Sequence, residues 1–271
     1  MIHHSKLNSQ HATGGIRKGD TFLEVDGVKF NDGKSTPDDV AARLRGPIES
    51  KVGIVMERDG KVLDFILTRR PITITSVRSY MSKTGSGKVG VIRIKSFSGT
   101  TAERVKEALV DLKGKGAESF VLDVRGNPGG LLPGGVDTAA IFLEANKPVV
   151  FVVDKKGVKD DQLTYQDGSV LEEPLAIVVN GNTASAAEVM VAALKENQRA
   201  TIVGEQTFGK GIIQTIRQLG YENGGVAVTV ARYETPLHNN INKQGISVDV
   251  PVDCKDEDAG VCVPTSVLFK K

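Results

Sequence analysis

Hydrophobic and polar positions along the chain follow two different rhythms, and the change between them divides the sequence. From about residue 15 to residue 70 the pattern is that of a small β-rich unit with one helix. TFLEV (21–25) and VKF (28–30) flank Asp26-Gly27, a pair suited to a tight hairpin turn. KVGIVMER (51–58) and KVLDFILT (61–68) repeat the arrangement around Asp59-Gly60. Between the hairpins, Thr36-Pro37-Asp38-Asp39 predicts a helix start, with a capping hydroxyl, proline at the first helical position and two acids facing the positive end of the dipole. That helix should run through VAARLRG and stop at Gly46-Pro47.

From residue 71 strands and helices alternate. PITITSVRSYM (71–81) reads as a strand, SKTGSGK (82–88) as a polar turn and VGVIRIKSF (89–97) as a second strand. A helix is predicted from about Thr100 to Lys113, with Val105, Leu109 and Leu112 on one face. SFVLDVRG (119–126) is short and apolar enough for a buried sheet position. There follow a helix over 133–144, strands over 147–153 and 174–180, a helix over 183–196, a strand over 200–204 and antiparallel strands over 211–218 and 224–233. In the 183–196 helix Thr183 takes the capping position, which puts Ser185 two residues inside. The alternation predicts an α/β fold with sheet and helices in layers. The expected organisation is a disordered segment over 1–14, the β-rich unit over 15–70, an α/β core over 71–253 and a tail over 254–271.

Composition narrows the classes. Of 271 residues 39% are hydrophobic and 25% charged, an ordinary soluble balance with length for one or two domains. Lysines and arginines exceed acids by two and are interspersed with them, so nucleic acid and anionic membrane are not expected partners. The longest apolar runs, such as PVVFVV (148–153), are too short to cross a bilayer. MIHHSKLNSQ shows no charged-then-apolar targeting pattern. Cys254 and Cys262 have no His or Cys cluster around them, which argues against zinc. Either they form one small disulfide loop, implying an oxidising compartment, or they are two free thiols.

Ser185 raises the question of chemistry, because its hydroxyl lies where the strand LAIVV hands over to an alanine-rich helix. A Ser-His-Asp arrangement fits badly. The stretch T-A-S-A-A lacks the flanking glycines of a nucleophile elbow, and of His3, His4, His11 and His238 three sit in the first fourteen residues. A lysine can take the base role when burial disfavours its charged form. Lys210, in GEQTFGKG (204–211), lies between two glycines just after the strand ATIVG. Taken alone, a glycine-flanked lysine reads as a solvated surface turn. Donors for an oxyanion are offered by the Ala186 N–H and by the glycine run in DVRGNPGGLL (123–132), which by itself reads as a tight turn. GSGK (85–88) lacks the spacing of a phosphate loop, no dinucleotide fingerprint follows a strand, and Asp and Glu show no metal-ligand spacing. Met190 and Leu194 are core candidates.

DVRGNPGG, GNTASAAE and GEQTFGKG together, in this order, resemble the carboxyl-terminal processing peptidases, serine proteases with a Ser-Lys dyad and a PDZ domain. The resemblance covers roughly residues 15–253, and VAVTVARYETPLHNNINKQGI is similar to the plastid branch that matures the photosystem II reaction-centre core protein. It implies a crotonase/Clp-like layered protease core behind a truncated PDZ-like domain. Ser185 matches the nucleophile, Lys210 the general base, Gln214 a residue that orients the lysine, and Gly130 and Ala186 the oxyanion-hole donors. The implied partner is a protein or peptide substrate with a C-terminal extension, and no metal or cofactor is implied. The implied location is the thylakoid lumen, with a periplasm-like compartment as alternative. Glu188 and Glu196 fall where the family carries acids; Glu188 is expected to share an exposed stripe with Lys195, in a structural role. The first PDZ strand and its carboxylate-binding loop are missing. This keeps open a non-catalytic peptide-binding module on a degenerate scaffold. A crotonase-like acyl transferase would need a coenzyme A pocket, for which the sequence offers no support.

Overall fold

The β-rich half closes around side chains that alternate inward. The computed structural model describes residues 15–17, 19–30, 35–70, 75–84, 88–220 and 224–269, and the chain divides into two units, 1–74 and 75–271. In the first, β1 (Thr21–Val25), β2 (Val28–Lys29), β3 (Lys51–Arg58) and β4 (Lys61–Thr68) form an antiparallel sheet in the order β2-β1-β3-β4. Both hairpins turn on the predicted Asp-Gly pairs, with φ of 46° and 79° at Asp26 and Gly27 and 51° and 74° at Asp59 and Gly60. Helix α1 (Pro37–Leu44) begins as its sequence requires. Thr36 Oγ1 accepts from the Asp39 N–H at 3.3 Å, and the Asp39 carboxylate accepts from the Thr36 N–H at 2.7 Å. Val40 buries against Val25, Val52, Ile54 and Met56.

The second unit holds two sheets. β5 (Val77–Met81), β6 (Val89–Ile94), β7 (Ser119–Asp123), β10 (Leu175–Val179), β11 (Thr201–Gly204) and β14 (Val250–Pro251) form one in the order β14-β11-β10-β7-β6-β5, parallel except for β5. The other, β12-β13-β8-β9, is antiparallel and contains β8 (Pro148–Asp154), β9 (Gly157–Leu163), β12 (Ile212–Gln218) and β13 (Gly225–Glu234). The parallel sheet is apolar on both faces because both are covered. Ile92, Leu122 and Ile177 pack beneath α2 (Thr101–Gly114), α3 (Leu132–Ala140) and α4 (Ala186–Glu196), with Leu109, Leu112, Phe142, Met190 and Leu194 completing that core. Val91, Val121 and Val178 face the other way, onto Ala259 of a 3₁₀ turn (Ala259–Cys262), Val263, and Leu268 of α5 (Thr265–Leu268).

Several expectations are corrected and one alternative is decided. The segment after residue 253, expected as a tail, covers one face of the sheet, and of the two alternatives for Cys254 and Cys262 the structure has the disulfide. Helix α3 stops at Ala140, not 144; Ile141, Phe142 and Leu143 are buried in the turn beyond it, so the apolar pattern outlasts the helix. β9 was not anticipated, since GVKDDQL has no apolar alternation; it is held as an edge strand by pairing with β8. The segment 1–14, the start of the strand expected from 71, and most of GSGK lie outside the described residues.

In the first unit Asp20 is clasped by Arg58, whose Nε and Nη2 each donate to a separate carboxylate oxygen at 2.6 Å. The Arg58 hydrogen bond holds the Asp20 carboxyl down at about 2, against partial opposition from burial. A folded-state value below the unfolded one stabilises above the unfolded pKa and is lost as pH falls through the folded one. The stability difference between wild type and Asp20→Asn is therefore expected to be full at pH 6 and to shrink between pH 5 and pH 2, as read by urea denaturation at each pH.

Candidate active site

Three loops leave the parallel sheet at neighbouring strand ends, and Ser185 sits where they meet. β10 ends at Val179, a short turn follows, and Ser185 has φ 60° and ψ −123° immediately before the first residue of α4. Such a conformation costs a side-chain-bearing residue roughly 1–3 kcal/mol. It is the sharp strand-to-helix turn that lifts a nucleophile out of a sheet. Here it forms without the flanking glycines that usually accompany it. Ser185 is thus the residue before the helix, not two residues inside it. Thr183 is not the cap either: its hydroxyl donates to Val124 O at 2.9 Å and accepts from the Asn180 N–H at 3.1 Å, tying the turn to the end of β7.

The glycine run after β7 lies directly against this turn. Its path is fixed from within, since Asn127 donates through Nδ2 to Ile94 O and accepts the Gly129 N–H, while Phe97 brackets the run by donating to Gly129 O and accepting from the Leu131 N–H. A methyl group on Gly129 would lie 2.7 Å from Ser185 Cβ and 3.0 Å from Ala186 N; one on Gly130 would lie 2.1 Å from Phe97 O. With φ of 101° and 136°, both positions demand glycine for space and for backbone. Among the described residues neither the Gly130 nor the Ala186 N–H makes a hydrogen bond. Behind the run, Arg125 grips buried Asp123 through Nε and Nη2, both at 2.8 Å, and its Nη1 donates to the carbonyls of Cys254 and Asp256. The Asp123 contact raises the Arg125 pKa further.

The third loop follows β11 and carries Lys210. A single carboxylate joins it to Ser185. Glu188 Oε2 accepts the N–H of Ser185 and the N–H of Lys210, both at 2.9 Å, while Oε1 accepts the Thr207 hydroxyl at 2.6 Å and the Gly209 N–H at 2.7 Å. The exposed stripe expected for Glu188 and Lys195 is therefore wrong: Glu188 is fully buried, and Lys195 reaches Ser247 and Asp249. The signal for Glu188 was in the sequence as S-x-x-E, a serine followed three residues later by an acid at a helix start. Glu196, at the other end of α4, holds Thr235, Leu237 and Asn239.

The side chains are less closely engaged than the backbones. Ser185 is half-buried and Lys210 exposed, without the burial that would disfavour the charged form of a lysine base, and Lys210 Nζ makes no hydrogen bond or ion pair among the described residues. Gln214 is exposed beside a bulge in β12. His238 lies elsewhere, stacked on Phe151 with ring centroids 4.2 Å apart and paired with Glu234. Among the described residues no cluster of His, Cys, Asp and Glu suits a metal, and no helix is long and apolar enough to cross a membrane.

The family model described as Peptidase family S41 matches residues 88–252, which hold all three loops. The chain belongs to peptidase family S41. Two S41-type relatives are a carboxyl-terminal-processing protease of Synechocystis, 40% identical over 242 residues, and the chloroplastic carboxyl-terminal-processing peptidase 2 of Arabidopsis thaliana, 38% identical over 256. The matches take in 88% and 90% of this chain but 56% and 48% of those proteins, so the chain spans about half the length of the curated relatives it matches. The solved photosystem II D1 C-terminal processing protease superposes with a TM-score of 0.60 at 36% identity, over 88% of this chain and 64% of that one.

In this S41 site Glu188 serves as acceptor in all four of its contacts. An amide in its place would turn an NH₂ group toward N–H donors. Glu188→Gln is expected to lower unfolding stability by about 2–3 kcal/mol, the cost of unsatisfied buried polar groups, measured by urea denaturation against wild type.

Proposed function

We propose that the chain is a serine endopeptidase that removes C-terminal extensions from protein substrates through a Ser-Lys acyl-enzyme mechanism. Ser185 Oγ attacks the scissile carbonyl and Lys210, as general base, takes its proton, then returns it to the leaving amine. The Gly130 and Ala186 N–H groups receive the developing oxyanion. Water then releases the acyl group by the same route. Gln214 steadies the lysine. The observation that carries this reading is the Glu188 carboxylate oxygen shared by the Ser185 and Lys210 amides, which holds the two backbones within reach of the flexible lysine stem.

Residues 15–70 are read as a truncated PDZ-like unit, a reading supported by its capped helix and four-stranded sheet. The parallel sheet under α2, α3 and α4 supports a crotonase/Clp-like core. The proposed substrate is the precursor of the photosystem II reaction-centre core protein and the proposed location the thylakoid lumen. Support comes from the similarity to a chloroplastic processing peptidase and to the D1-processing protease, and from the Cys254–Cys262 disulfide, which suits an oxidising compartment.

Mass spectrometry of products from a peptide carrying a C-terminal extension tests this. Ser185→Ala and Lys210→Ala are each expected to lower turnover at least ~10⁴-fold with the fold intact by circular dichroism. Gln214→Ala should weaken cleavage without abolishing it, and EDTA should leave it unchanged. Full turnover in either dyad variant removes the mechanism, and a folded wild-type chain that binds the peptide without cutting it is a binding module instead.

A further inference from the structure

The loop after β13 is fastened to the lysine loop, and the fastening passes through one hydroxyl. The loop is held at its start by Glu196, which accepts from Thr235, Leu237 and Asn239, and at its end by Ile241 and Ile246, both buried in the core. Between these anchors the Lys243 N–H donates to Gly209 O at 2.7 Å, and Gln206 Nε2 donates to Gln244 O. The approach is close enough that a methyl on Gly209 would lie 2.8 Å from Gly245 N, and one on Gly245 would lie 2.2 Å from Thr207 O. Thr207 lies at the centre. Its N–H donates to Ile246 O at 3.2 Å, and its Oγ1 accepts the Ile246 N–H at 2.7 Å.

A hydroxyl has one proton. Because Oγ1 already accepts from Ile246, that proton is directed to its other neighbour, Glu188 Oε1, at 2.6 Å. The two oxygens of Glu188 divide their work: Oε1 takes Thr207 and Gly209, and Oε2 takes Ser185 and Lys210. Rotation about the last bond of a glutamate is soft. Where Oε2 points is therefore set by the donors on Oε1, and the Thr207 hydroxyl is the side-chain donor there, oriented by the Ile246 N–H of the loop after β13.

We propose that Thr207 is a positioning residue for the reaction: through Glu188 it fixes the oxygen on which the Ser185 and Lys210 backbones both rest, and it makes the 235–246 loop part of the catalytic machinery. This rests on the peptidase reading above. Thr207 is only 5% exposed, so it acts on turnover and not on substrate binding.

The test uses the full chain with fluorescein-labelled casein. Thr207→Val keeps the shape and removes the hydroxyl. It should lower kcat roughly 10- to 100-fold, the range for slight misplacement of reacting groups, with KM within about 2-fold of wild type. Thr207→Ser should restore most of the rate. Thr164→Val is the control, because the buried Thr164 hydroxyl likewise accepts one N–H (Lys147, 2.8 Å) while donating to a backbone carbonyl (Glu144, 2.6 Å) in place of a carboxylate, away from the site. It should lower the melting temperature while leaving kcat within 2-fold. If Thr207→Val does not fold, Thr207→Ser and Thr207→Ala, which differ by the hydroxyl alone, give the same reading. Wild-type kcat in the hydroxyl-free variants, a loss confined to KM, or an equal kcat loss in Thr164→Val overturns the proposal. Casein cleavage that survives Ser185→Ala overturns the peptidase reading itself, independently of Thr207.

Discussion

One buried carboxylate is the constraint on which the site depends. Glu188 lies in the first turn of α4, where the helix dipole favours a negative group, and it accepts four hydrogen bonds from residues far apart in sequence. Each contact removes a cost that would otherwise be large. The Ser185 N–H is one of the orphan donors at a helix start, the Gly209 and Lys210 N–H groups belong to a loop without a strand partner, and a buried carboxylate without donors would not be tolerated. The strained backbone at Ser185 persists because this network and the packed glycine run leave it nowhere to relax.

The parallel sheet brings the pieces to one edge before any side chain acts. Val178 in β10 is registered against Asp123 in β7, and Val179 against Gly204 in β11. Since the strands run the same way, the glycine run, the Ser185 turn and the lysine loop all emerge at the carboxyl ends, where open α/β sheets characteristically place their sites. The proposed chemistry therefore requires only that three loops be locally well made. Each is held by a different device: Asn127 and Phe97 for the first, Thr183 for the second, and Glu188 for the third.

What could be read from the sequence follows from how local the cause is. The two Asp-Gly hairpins, the capped helix α1, the core stripe of α2 and the buried strands were legible because each is specified within a few residues. Ser185 and Lys210 stood out as candidates through their strand-to-helix and glycine-flanked settings, yet the helix start was misplaced by three residues, because Thr183 looks like a cap and serves instead to tie two strand ends. β9 was invisible because an edge strand needs no apolar face. The burial of Glu188 was also missed: helical periodicity assigns acids to solvent unless their partners are known, and three of its four partners lie 19 to 22 residues away. The exposure of Lys210 agrees with the solvated turn that GKG reads as by itself.

The far face of the sheet bears on the site as well. Asp123, the last residue of β7, is fully buried and receives three hydrogen bonds from Arg125, two of them from its guanidinium, and one from Arg93. Breaking one member of such a buried pair costs about 3–5 kcal/mol, because the other is left without its counter-charge. Arg125 meets the rest of its donor capacity at the carbonyls of Cys254 and Asp256, at one end of the disulfide loop. The segment that covers the second face thus satisfies the guanidinium that anchors the start of the glycine run. A cover that only buried valines could be exchanged for any apolar layer; one that also completes the hydrogen bonds of Arg125 is tied in position to the loop it supports.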